Sequence, residues 1–540
     1  MLNYSKRKFF SLPLMLIVSA CGGRAADALK CAGSENCGSK IDDSLTGTSK
    51  SDEIYGFSGN DTLNGLAGDD HIKGHDGDDI IDGGDGADLI EGGEDNDTIK
   101  GGLGNDRIYG GSGDDSIDGQ LGNDQLFGDS GDDIITFSLN DIIADGGSGI
   151  DTLTISEVSD SSQISISFKS EKIFKGAGFA PFNSNILDFE ILIAEIANDL
   201  SVTDKENTLS IKTGSGDDQI VSIASEVAIN TGDGNDSVTK HDGSGSIDTG
   251  NGDDVVDLLN LGQTSVVLGD GDDSVKIRGN FDTIDGGLGN DTLIVSEHWL
   301  YENTVFSLES SAVFTNYPGL IPSNFRMSLS GIENISYGGG LSLEFIGDSQ
   351  DNNISSGISN DILSGGGGDD ILSGGDGNDV INGNSGSDTL NGGNGNDKFV
   401  FSKIYDVSDT INDFVISDDI LQFIDGSDLS LVGVSNLKFV SGQVDALTNS
   451  SNVIDETHNV IVFTEAVDDV GSAITSIKGG VNANVGDGVI IISAASAEGS
   501  FAKVWYDATA DASDTVEIAE LSGIMVSDLA SLSEENFLIL

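Results

Sequence analysis

The stretch Gly83–Glu91, GGDGADLIE, decides the fold, because nine-residue copies of it follow one another without a break from Gly47 to Thr136. Each copy has the pattern GGxGxDxUx, in which U is a large aliphatic residue. Aspartate occupies place six, and Ile or Leu occupies place eight, of all ten copies. A single aliphatic side chain per unit is therefore held in fixed phase with a single carboxylate.

The chemistry of this nonapeptide predicts a metal-dependent coil. Its first six places suit a turn with positive φ angles, and its last three form a short strand with one inward side chain. Burying one Ile or Leu cannot offset the ordering of the unit, which costs about 1 to 2 kcal/mol per residue. Stacked turns would place aspartates beside backbone carbonyls, an oxygen cage suited to Ca²⁺, so we expect folding and calcium binding to be coupled. The place-six aspartates are Asp52, Asp61, Asp70, Asp79, Asp88, Asp97, Asp106, Asp115, Asp124 and Asp133.

The nonapeptide resembles the repeat of the RTX (repeat-in-toxin) family, a calcium-binding parallel β-helix repeat. The resemblance implies an all-β parallel β-roll, in which two nonapeptides form one coil and calcium ions lie between turns at each edge. A flexible acidic tail is the alternative that composition favours, but disorder has no use for a periodic aliphatic residue. Besides the aspartates, the resemblance implicates the turn carbonyls that begin at Gly56, Gly65, Gly74, Gly83, Gly92, Gly101, Gly110, Gly119 and Gly128.

The acidic composition indicates cations as partners. The formal net charge of -68 argues against nucleic acid and against anionic lipid, because both would be repelled. The 75 glycines and only 4 prolines favour tightly turning strands over a linker or a helical protein.

Residues 1–20 are interpreted as a signal peptide, because a basic start at Lys6 to Lys8 precedes a short apolar run. This run is too short to span a bilayer. Its end, Val18 to Cys21, resembles a bacterial lipobox, which would make Cys21 a lipidated N-terminus and imply an outer-membrane anchor. An ordinary secretory signal is the alternative.

A tether is expected at residues 21–46. Once Cys21 is set aside, Cys31 and Cys37 remain as a pair, and an exported segment reaches an oxidising compartment. We therefore predict a small disulfide loop between them.

The first repeat section is predicted to span residues 47–154, with calcium turns on both edges. Residues 137–145 contain no glycine and have Ile142 where aspartate is expected, so this half-coil is predicted to have lost its site. Residues 146–154, GGSGIDTLT, return in phase with Asp151 at place six.

A β-rich insertion is expected at residues 155–212. Residues 164–168 alternate apolar with polar side chains, as half-buried strands do. Residues 186–197 fit either a strand pair or a short helix.

The second repeat section, residues 213–294, repeats its turn every 18 or 19 residues, which is one whole coil. This step predicts a β-roll with calcium turns on one edge only. Plain loops, such as residues 260–264 and 278–282, would close the other edge. The place-six residues here are Asp218, Asp236, Asp254, Asp273 and Asp291.

A second β-rich insertion, residues 295–346, contains clustered aromatics that include Trp299 and Phe306. They could form a binding face or a small strand-rich core. The third repeat section, residues 347–400, begins with Asn352 at place six, which is interpreted as a weakened turn and a cap. Its place-six aspartates are Asp361, Asp370, Asp379, Asp388 and Asp397.

Residues 401–540 form a predicted β-rich C-terminal capping and export region. Residues 409–421 resemble the segment that closes many RTX β-rolls. Residues 502–521 and the ending 534–540 resemble the region that type I secretion machinery recognises. A lipobox and a type I signal imply different export routes, and both lead out of the cytoplasm.

The sequence contains no catalytic constellation: it lacks an HExxH zinc motif, a GxSxG nucleophile elbow and a P-loop. His71 and His75 are expected to be solvated, and the carboxylates have like environments, whereas a hydrolase needs two different ones. A pore-forming toxin is disfavoured, because no membrane-length apolar stretch occurs. We therefore expect an exported, non-enzymatic calcium-binding protein that acts as a surface, adhesion or matrix component. The alternative is an extracellular protein that binds or modifies polysaccharide with the β-roll face and the insertions.

Overall fold

The fold of the 540-residue chain is that of a computed structural model. The signal segment, Cys21, Cys31 and Trp299 lie outside the residues that the structure describes. Those residues are 36–138, 140–155, 164–167, 172–175, 185–194, 200–205, 207–259, 263–278, 283–296, 300, 303–315, 325–401, 409–423, 439–442, 460–466, 489–494, 501–507, 515–522, 524, 529, 531–532 and 537–539.

The chain divides into two compact units, Met1–Val256 and Asp257–Leu540. In each unit the strands wind as a parallel β-solenoid: successive strands go to alternate sheets, and most pair in parallel with the strand one coil later. The prediction of an all-β parallel β-roll is confirmed. Within the described ranges, no helix is both long and apolar enough to cross a membrane.

The strands of the first unit are mostly three to six residues long. They are β1 (Ser44–Thr46), β2 (Glu53–Ser58), β3 (Thr62–Asn64), β4 (His71–Asp76), β5 (Ile80–Asp85), β6 (Leu89–Glu94), β7 (Thr98–Leu103), β8 (Arg107–Ser112), β9 (Ser116–Leu121), β10 (Gln125–Ser130), β11 (Ile134–Phe137), β12 (Ile143–Asp145), β13 (Thr152–Ile155), β14 (Ile164–Ser167), β15 (Lys172–Lys175), β16 (Asn185–Leu187), β17 (Ile191–Ile193), β18 (Leu200–Thr203), β19 (Ser210–Lys212), β20 (Gln219–Ser222), β21 (Glu226–Asn230), β22 (Ser237–Lys240), β23 (Ser244–Asn251) and β24 (Val255–Leu258), which contains the unit boundary.

The second unit continues with strands of similar length. They are β25 (Thr264–Asp270), β26 (Ser274–Ile277), β27 (Thr283–Leu288), β28 (Thr292–Val295), β29 (Thr304–Ser307), β30 (Ala312–Thr315), β31 (Phe325–Ser330), β32 (Asn334–Tyr337), β33 (Glu344–Ile346), β34 (Asn353–Ser355), β35 (Ile362–Gly367), β36 (Ile371–Asp376), β37 (Val380–Ser385), β38 (Thr389–Asn394), β39 (Lys398–Phe401), β40 (Asp409–Ile411), β41 (Ile420–Phe423), β42 (Phe439–Gly442), β43 (Val460–Ala466), β44 (Val489–Ala494), β45 (Phe501–Asp507), β46 (Thr515–Ser522) and β47 (Phe537–Ile539).

Register in the first unit follows the nonapeptide. β2 pairs with β4 and β4 with β6, so Ile54, Ile72 and Ile90 align in one sheet. Two nonapeptides therefore form one coil. Alternation along the strand sends one side chain inward, since Ile81 is 1% exposed while its neighbour Ile80 is 57% exposed. The core of each coil is consequently a thin pair of aliphatic columns.

The strands of the first section are longer than the three residues that the nonapeptide predicts. β4 and β5 each have six residues, because the first places of the following unit continue the pairing. The turn then closes sharply at Gly86, where φ is +154°. A Cβ at Gly86 would collide with the carbonyl of Gly68 in the preceding coil, so only glycine fits there.

The solenoid begins one nonapeptide before the predicted start at Gly47. β1 pairs in parallel with β3, and Asp43 lies where a place-six aspartate would lie. The predicted tether is therefore too long at its C-terminal end, because residues 38–46 already form part of a coil. Cys37 is disulfide-bonded; its pairing with Cys31 stays a prediction, because Cys31 is not among the described residues.

The first insertion interrupts the solenoid without ending it. β16 pairs in parallel with β12, and β17 with β13, so the coil resumes after an excursion that contains the antiparallel hairpin of β14 and β15. Residues 185–187 and 191–193 are strands, so this part of the ambiguous stretch is a strand pair rather than a helix.

The second insertion has the same relation to its solenoid. β31 pairs in parallel with β27 and β33 with β29, while β30 pairs in antiparallel fashion with both β29 and β31. Phe306 is fully buried and stacks on Phe345, with ring centroids 5.5 Å apart. Farther on, β40 pairs with β38 and β41 with β39, so residues 409–421 extend the roll.

The two histidines of the first section are solvated only in part, because each also contacts a side chain of a neighbouring coil. His75 is half-buried and its ring stacks on Phe57, with centroids 5.5 Å apart. Nε2 of His71 lies 3.4 Å from Oε1 of Glu91. The outer face of a sheet lets side chains of successive coils contact one another, and the sequence spacing alone did not reveal these contacts.

Candidate calcium-binding sites

The place-six aspartates form columns along the edges of the coils. Within a column, the backbone N–H of one aspartate donates to Oδ1 of the aspartate one coil later: Asp61 to Asp79 over 2.7 Å, and Asp79 to Asp97 over 2.8 Å. The opposite edge repeats the arrangement, with Asp70 donating to Asp88 over 2.7 Å. All of the predicted aspartates except Asp52 are buried.

The second carboxylate oxygen lacks such a partner in most coils. Within the described residues, Oδ2 is buried without a hydrogen bond in the aspartates named at the end of this paragraph. A buried charged oxygen without a partner is costly, so each one indicates a missing positive charge. The aspartates concerned are Asp61, Asp70, Asp79, Asp88, Asp97, Asp106, Asp115, Asp124, Asp133, Asp151, Asp291, Asp370, Asp379 and Asp397.

Each of these oxygens faces a space bounded by glycine. A methyl group added at Gly83 would lie 2.5 Å from Oδ2 of Asp88 and 2.5 Å from the carbonyl oxygen of Gly101, one coil later. The space is therefore surrounded by oxygen atoms from two successive turns. Glycine at place one keeps it clear of side-chain carbon.

The electrostatics of the columns also indicate a cation. Burial raises the pKa of Asp97 to about 8, and the carboxylates of Asp115 and Asp79 add to this rise, against the lowering effect of the N–H that Asp79 donates. Burial likewise raises the pKa of Asp79 and of Asp115 to about 7. A bound cation would compensate both the burial and the repulsion.

The donor set fits calcium. No three His, Cys, Asp or Glu side chains converge on one point in the described ranges, so a cation must take most of its ligands from backbone carbonyls. Ca²⁺ accepts about six to eight oxygen ligands in flexible geometry, whereas Zn²⁺ prefers nitrogen and sulfur. When bound, calcium would supply the positive charge that the columns lack.

In the second repeat section, the place-six aspartates follow one another along one edge. Asp218 donates its N–H to Oδ1 of Asp236 over 2.8 Å, and Asp236 donates to Asp254 over 2.7 Å. In the second unit, Asp273 donates to Asp291 over 2.9 Å. These contacts have the geometry of the first section.

The half-coil of residues 137–145 has kept a carboxylate, but both of its oxygens accept hydrogen bonds, so the loss of its calcium site stays a prediction. Asp141, beside the expected position Ile142, accepts the N–H of Asp124 at 3.3 Å and that of Ser138 at 2.7 Å. Its inward aliphatic neighbour, Ala144, follows three residues later instead of two. This extra residue shifts the aspartate back by one place without moving the strand.

Asn352 does not cap the third section. Its strand β34 pairs with β32 on one side and β36 on the other, so coils continue in both directions. The amide also joins the column: Asn352 donates its N–H to Oδ1 of Asp370 over 2.8 Å, and its Nδ2 donates to the carbonyl of Glu333 over 2.9 Å.

Several carboxylates in the columns were missed by the sequence reasoning. Asp151 donates its N–H to Glu190 over 3.2 Å, and Asp291 donates to Glu333 over 2.8 Å. All of these additional carboxylates except Asp141 share one sequence signal: the acidic residue lies two places before an inward aliphatic residue. This signal does not depend on glycine. The additional members are Asp43, Asp141, Glu190, Glu333, Asp409 and Asp419.

A second, exposed ladder runs outside the buried columns and was also missed. At place five, the side chain of one coil accepts the N–H of the next: Oδ1 of Asp78 from Asn96 over 3.1 Å, and Oδ1 of Asn96 from Asp114 over 2.7 Å. These bonds run in the opposite direction to those of the buried columns. Place five is Asp or Asn in most repeats, which is the signal that could have found it.

The neighbours Asp115 and Asp114 allow a matched test of the buried column. We expect D115N to lower the calcium stoichiometry by about one or two ions, because the buried charge is lost while an Oδ1 remains for the ladder. We expect D114N to leave it unchanged, because Asp114 is exposed. Equilibrium dialysis or calorimetry measures both, and equal stoichiometries in the two variants would contradict the assignment.

The pKa shifts predict how pH acts on the metal-free protein. Burial raises the folded-state pKa of Asp61, Asp79 and Asp97 from 3.8 to about 6, about 7 and about 8 respectively, so the metal-free fold binds protons more tightly than the unfolded chain does. The resulting stabilisation is complete below the unfolded value and disappears as pH rises through the folded values. The strand signal of calcium-stripped protein in circular dichroism should be larger at pH 5 than at pH 8; the reverse order would refute this.

Comparison with known proteins agrees with this geometry. The family model of the RTX calcium-binding nonapeptide repeat (4 copies) matches residues 38–72, 64–99, 100–135, 346–381 and 364–399. These ranges cover residues 47–135 of the first repeat section and nearly all of the third, and they include the additional nonapeptide before Gly47. No curated protein matches the chain significantly. The chain therefore contains RTX calcium-binding nonapeptide repeats in several copies, and calcium is the cation that these repeats bind.

Proposed function

We propose that the protein is an exported, non-enzymatic component of the cell surface, an adhesin or a matrix protein, that folds when calcium binds outside the cell. The single observation that supports this is the buried, unpartnered Oδ2 that recurs in successive coils. RTX calcium-binding repeat proteins are typically secreted, which agrees with the proposed location.

The energetics of a coil support coupled folding and binding. Each half-coil buries one aliphatic residue, such as Ile99, and one carboxylate, such as Asp97. The aliphatic contributes about 1.5 to 3 kcal/mol, which is far less than the ordering of nine residues costs. Without a cation the columns add like-charge repulsion, so the metal-free chain should be largely unfolded at neutral pH.

Calcium levels would then switch the fold at export. Extracellular calcium modules bind at roughly 0.1 to 1 mM, a concentration that is not reached inside the cell. The chain would remain extended during export and fold outside. A lipid anchor at Cys21 and recognition of the C-terminal region by type I secretion machinery are the two routes that the sequence supports.

The proposal that the protein is not an enzyme is based on the similarity of the place-six carboxylate sites. An acid–base pair requires two carboxylates in different environments. Here the place-six carboxylates share one environment, since burial raises the pKa of Asp88, Asp115 and Asp379 alike, to about 7.

Circular dichroism of the full chain tests the proposal. We expect the strand signal to be lost in a chelator and to be restored by calcium. The same concentration of magnesium should not restore it, because Mg²⁺ demands stricter geometry and retains its waters. Calorimetry should count more than about ten calcium ions per chain. A count of zero or one, or a chelated chain that keeps its full strand signal and melts no earlier, would contradict it.

Polysaccharide binding is a second candidate function, favoured by a groove on the outer face of the first section. The groove has a volume of about 730 Å³, within the range of small-ligand sites. Gly93 and Gly111, which are register partners, line its centre. His75 is the register partner of Gly93 one coil earlier, and Asp129 is that of Gly111 one coil later. The ring of Tyr109 lines one side.

The groove also contains two cationic side chains beside two acidic ones, Glu91 and Asp129, and Glu91 forms an ion pair with Lys73 over 2.9 Å. Lys73 and Arg107 both line it, and Arg107 lies 5.2 Å from the centroid of the Tyr109 ring. Aromatic and cationic groups together suit an acidic sugar.

A glycan array tests this second function. The calcium-loaded protein should bind acidic glycans, and Y109A should lose that binding. K100A, in strand β7 of the opposite sheet, should retain it, because Lys100 does not line the groove. The candidate would be abandoned if no glycan bound, or if both variants lost binding equally.

A further inference from the structure

The second repeat section contains a buried lysine at the edge that lacks place-six aspartates. Lys240 is the last residue of β22 and is only 3% exposed. Lysine is almost never fully buried unless it is paired. An inward ammonium therefore needs acceptors and a counter-charge inside the solenoid.

The acceptors are backbone carbonyls of two successive turns. Nζ of Lys240 donates to the carbonyl of Ala224 over 3.0 Å and to that of Asp242 over 2.7 Å. Ala224 lies in the turn after β20, and Asp242 lies in the turn after β22, one coil later. In the first section, carbonyls of successive turns lie around the space beside a place-six carboxylate, as at Gly83; here they surround an ammonium.

The counter-charge is a carboxylate two coils earlier. Asp204, which is fully buried, follows β18 directly and accepts the N–H of Ile223 at Oδ1 over 2.6 Å. Ser222 is the register partner of Lys240, so Asp204, Ser222 and Lys240 occupy equivalent places in three successive coils. Burial lowers the pKa of Lys240, and the attraction of Asp204 raises it.

We propose that Lys240 is a built-in cation: its ammonium, bound by the carbonyls of Ala224 and Asp242 and attracted by the buried carboxylate of Asp204, fills at this edge the place that calcium would take at the aspartate columns. This edge therefore takes no metal. A weaker form of the same substitution occurs at Asn352, whose amide donates to the carbonyl of Glu333. The proposal does not depend on the proposed function, because it concerns an edge without repeat aspartates.

Hydrogen exchange in the calcium-loaded, full-length protein tests it. The amides of His241 and Ser244 donate across this edge to Ser222 and Ser225. K240M keeps much of the apolar stem but leaves two buried carbonyls without their donor and the buried Asp204 carboxylate without its counter-charge, and should speed their exchange by roughly 100-fold. K100M removes an exposed lysine of β7 and should change exchange by less than about threefold.

A double variant and a calcium count complete the test. D204N/K240M removes both charges and should exchange more slowly than K240M, because neither partner is left unpaired. K240M should bind as many calcium ions as the wild type. Unchanged exchange in K240M, a double variant as perturbed as the sum of the two single variants, or a lost calcium ion in K240M would overturn the proposal.

Discussion

The stacked carboxylate columns are the constraint on which the rest of this structure depends. Each place-six aspartate uses Oδ1 to accept the N–H of the coil before it, as between Asp61 and Asp79. That bond fixes the orientation of the carboxylate, so Oδ2 cannot turn to solvent. The same geometry that connects the coils thus concentrates negative charge at their edges.

The protein meets this electrostatic demand in more than one way. In the regular coils, glycine at place one keeps a space of oxygen atoms open beside Oδ2, which suits calcium. At Asn352 a neutral amide supplies a donor to a backbone carbonyl. At Lys240 a side-chain ammonium does so. At Asn352 and Lys240 a partly positive or positive group thus lies between turns, and the regular coils keep a space there that suits a cation.

Sequence periodicity predicted most of the fold, because one inward aliphatic and one aspartate recur at fixed places. It failed where the chain keeps the strand register but changes the turn. Asp141 was missed because an additional residue separates it from Ala144. Asn352 was misread as a cap because it replaces an aspartate, yet its N–H donates to Asp370 within the column. The contact of His75 with Phe57 on the outer face joins two residues of successive coils, both with positive φ. The linear repeat does not specify how such side chains pack.

The candidate ligands were predictable at the regular repeats and not at the irregular ones. Glu190 and Glu333 lie in stretches without a glycine-rich turn, so a search for the nonapeptide passes over them. Both nevertheless precede an inward aliphatic by two residues, Leu192 and Ile335. The strand half of the motif therefore carries more information about position in the coil than the turn half does.

The two insertions show what this architecture permits. Successive members of a regular column are 18 residues apart, yet Asp151 and Glu190 are 39 apart and Asp291 and Glu333 are 42 apart, with the hydrogen bond between them preserved. Neighbouring coils pair through strand register alone, so the chain can leave the solenoid at an edge and return after an insertion of any length. New surface can consequently be spliced into such a protein without altering its interior.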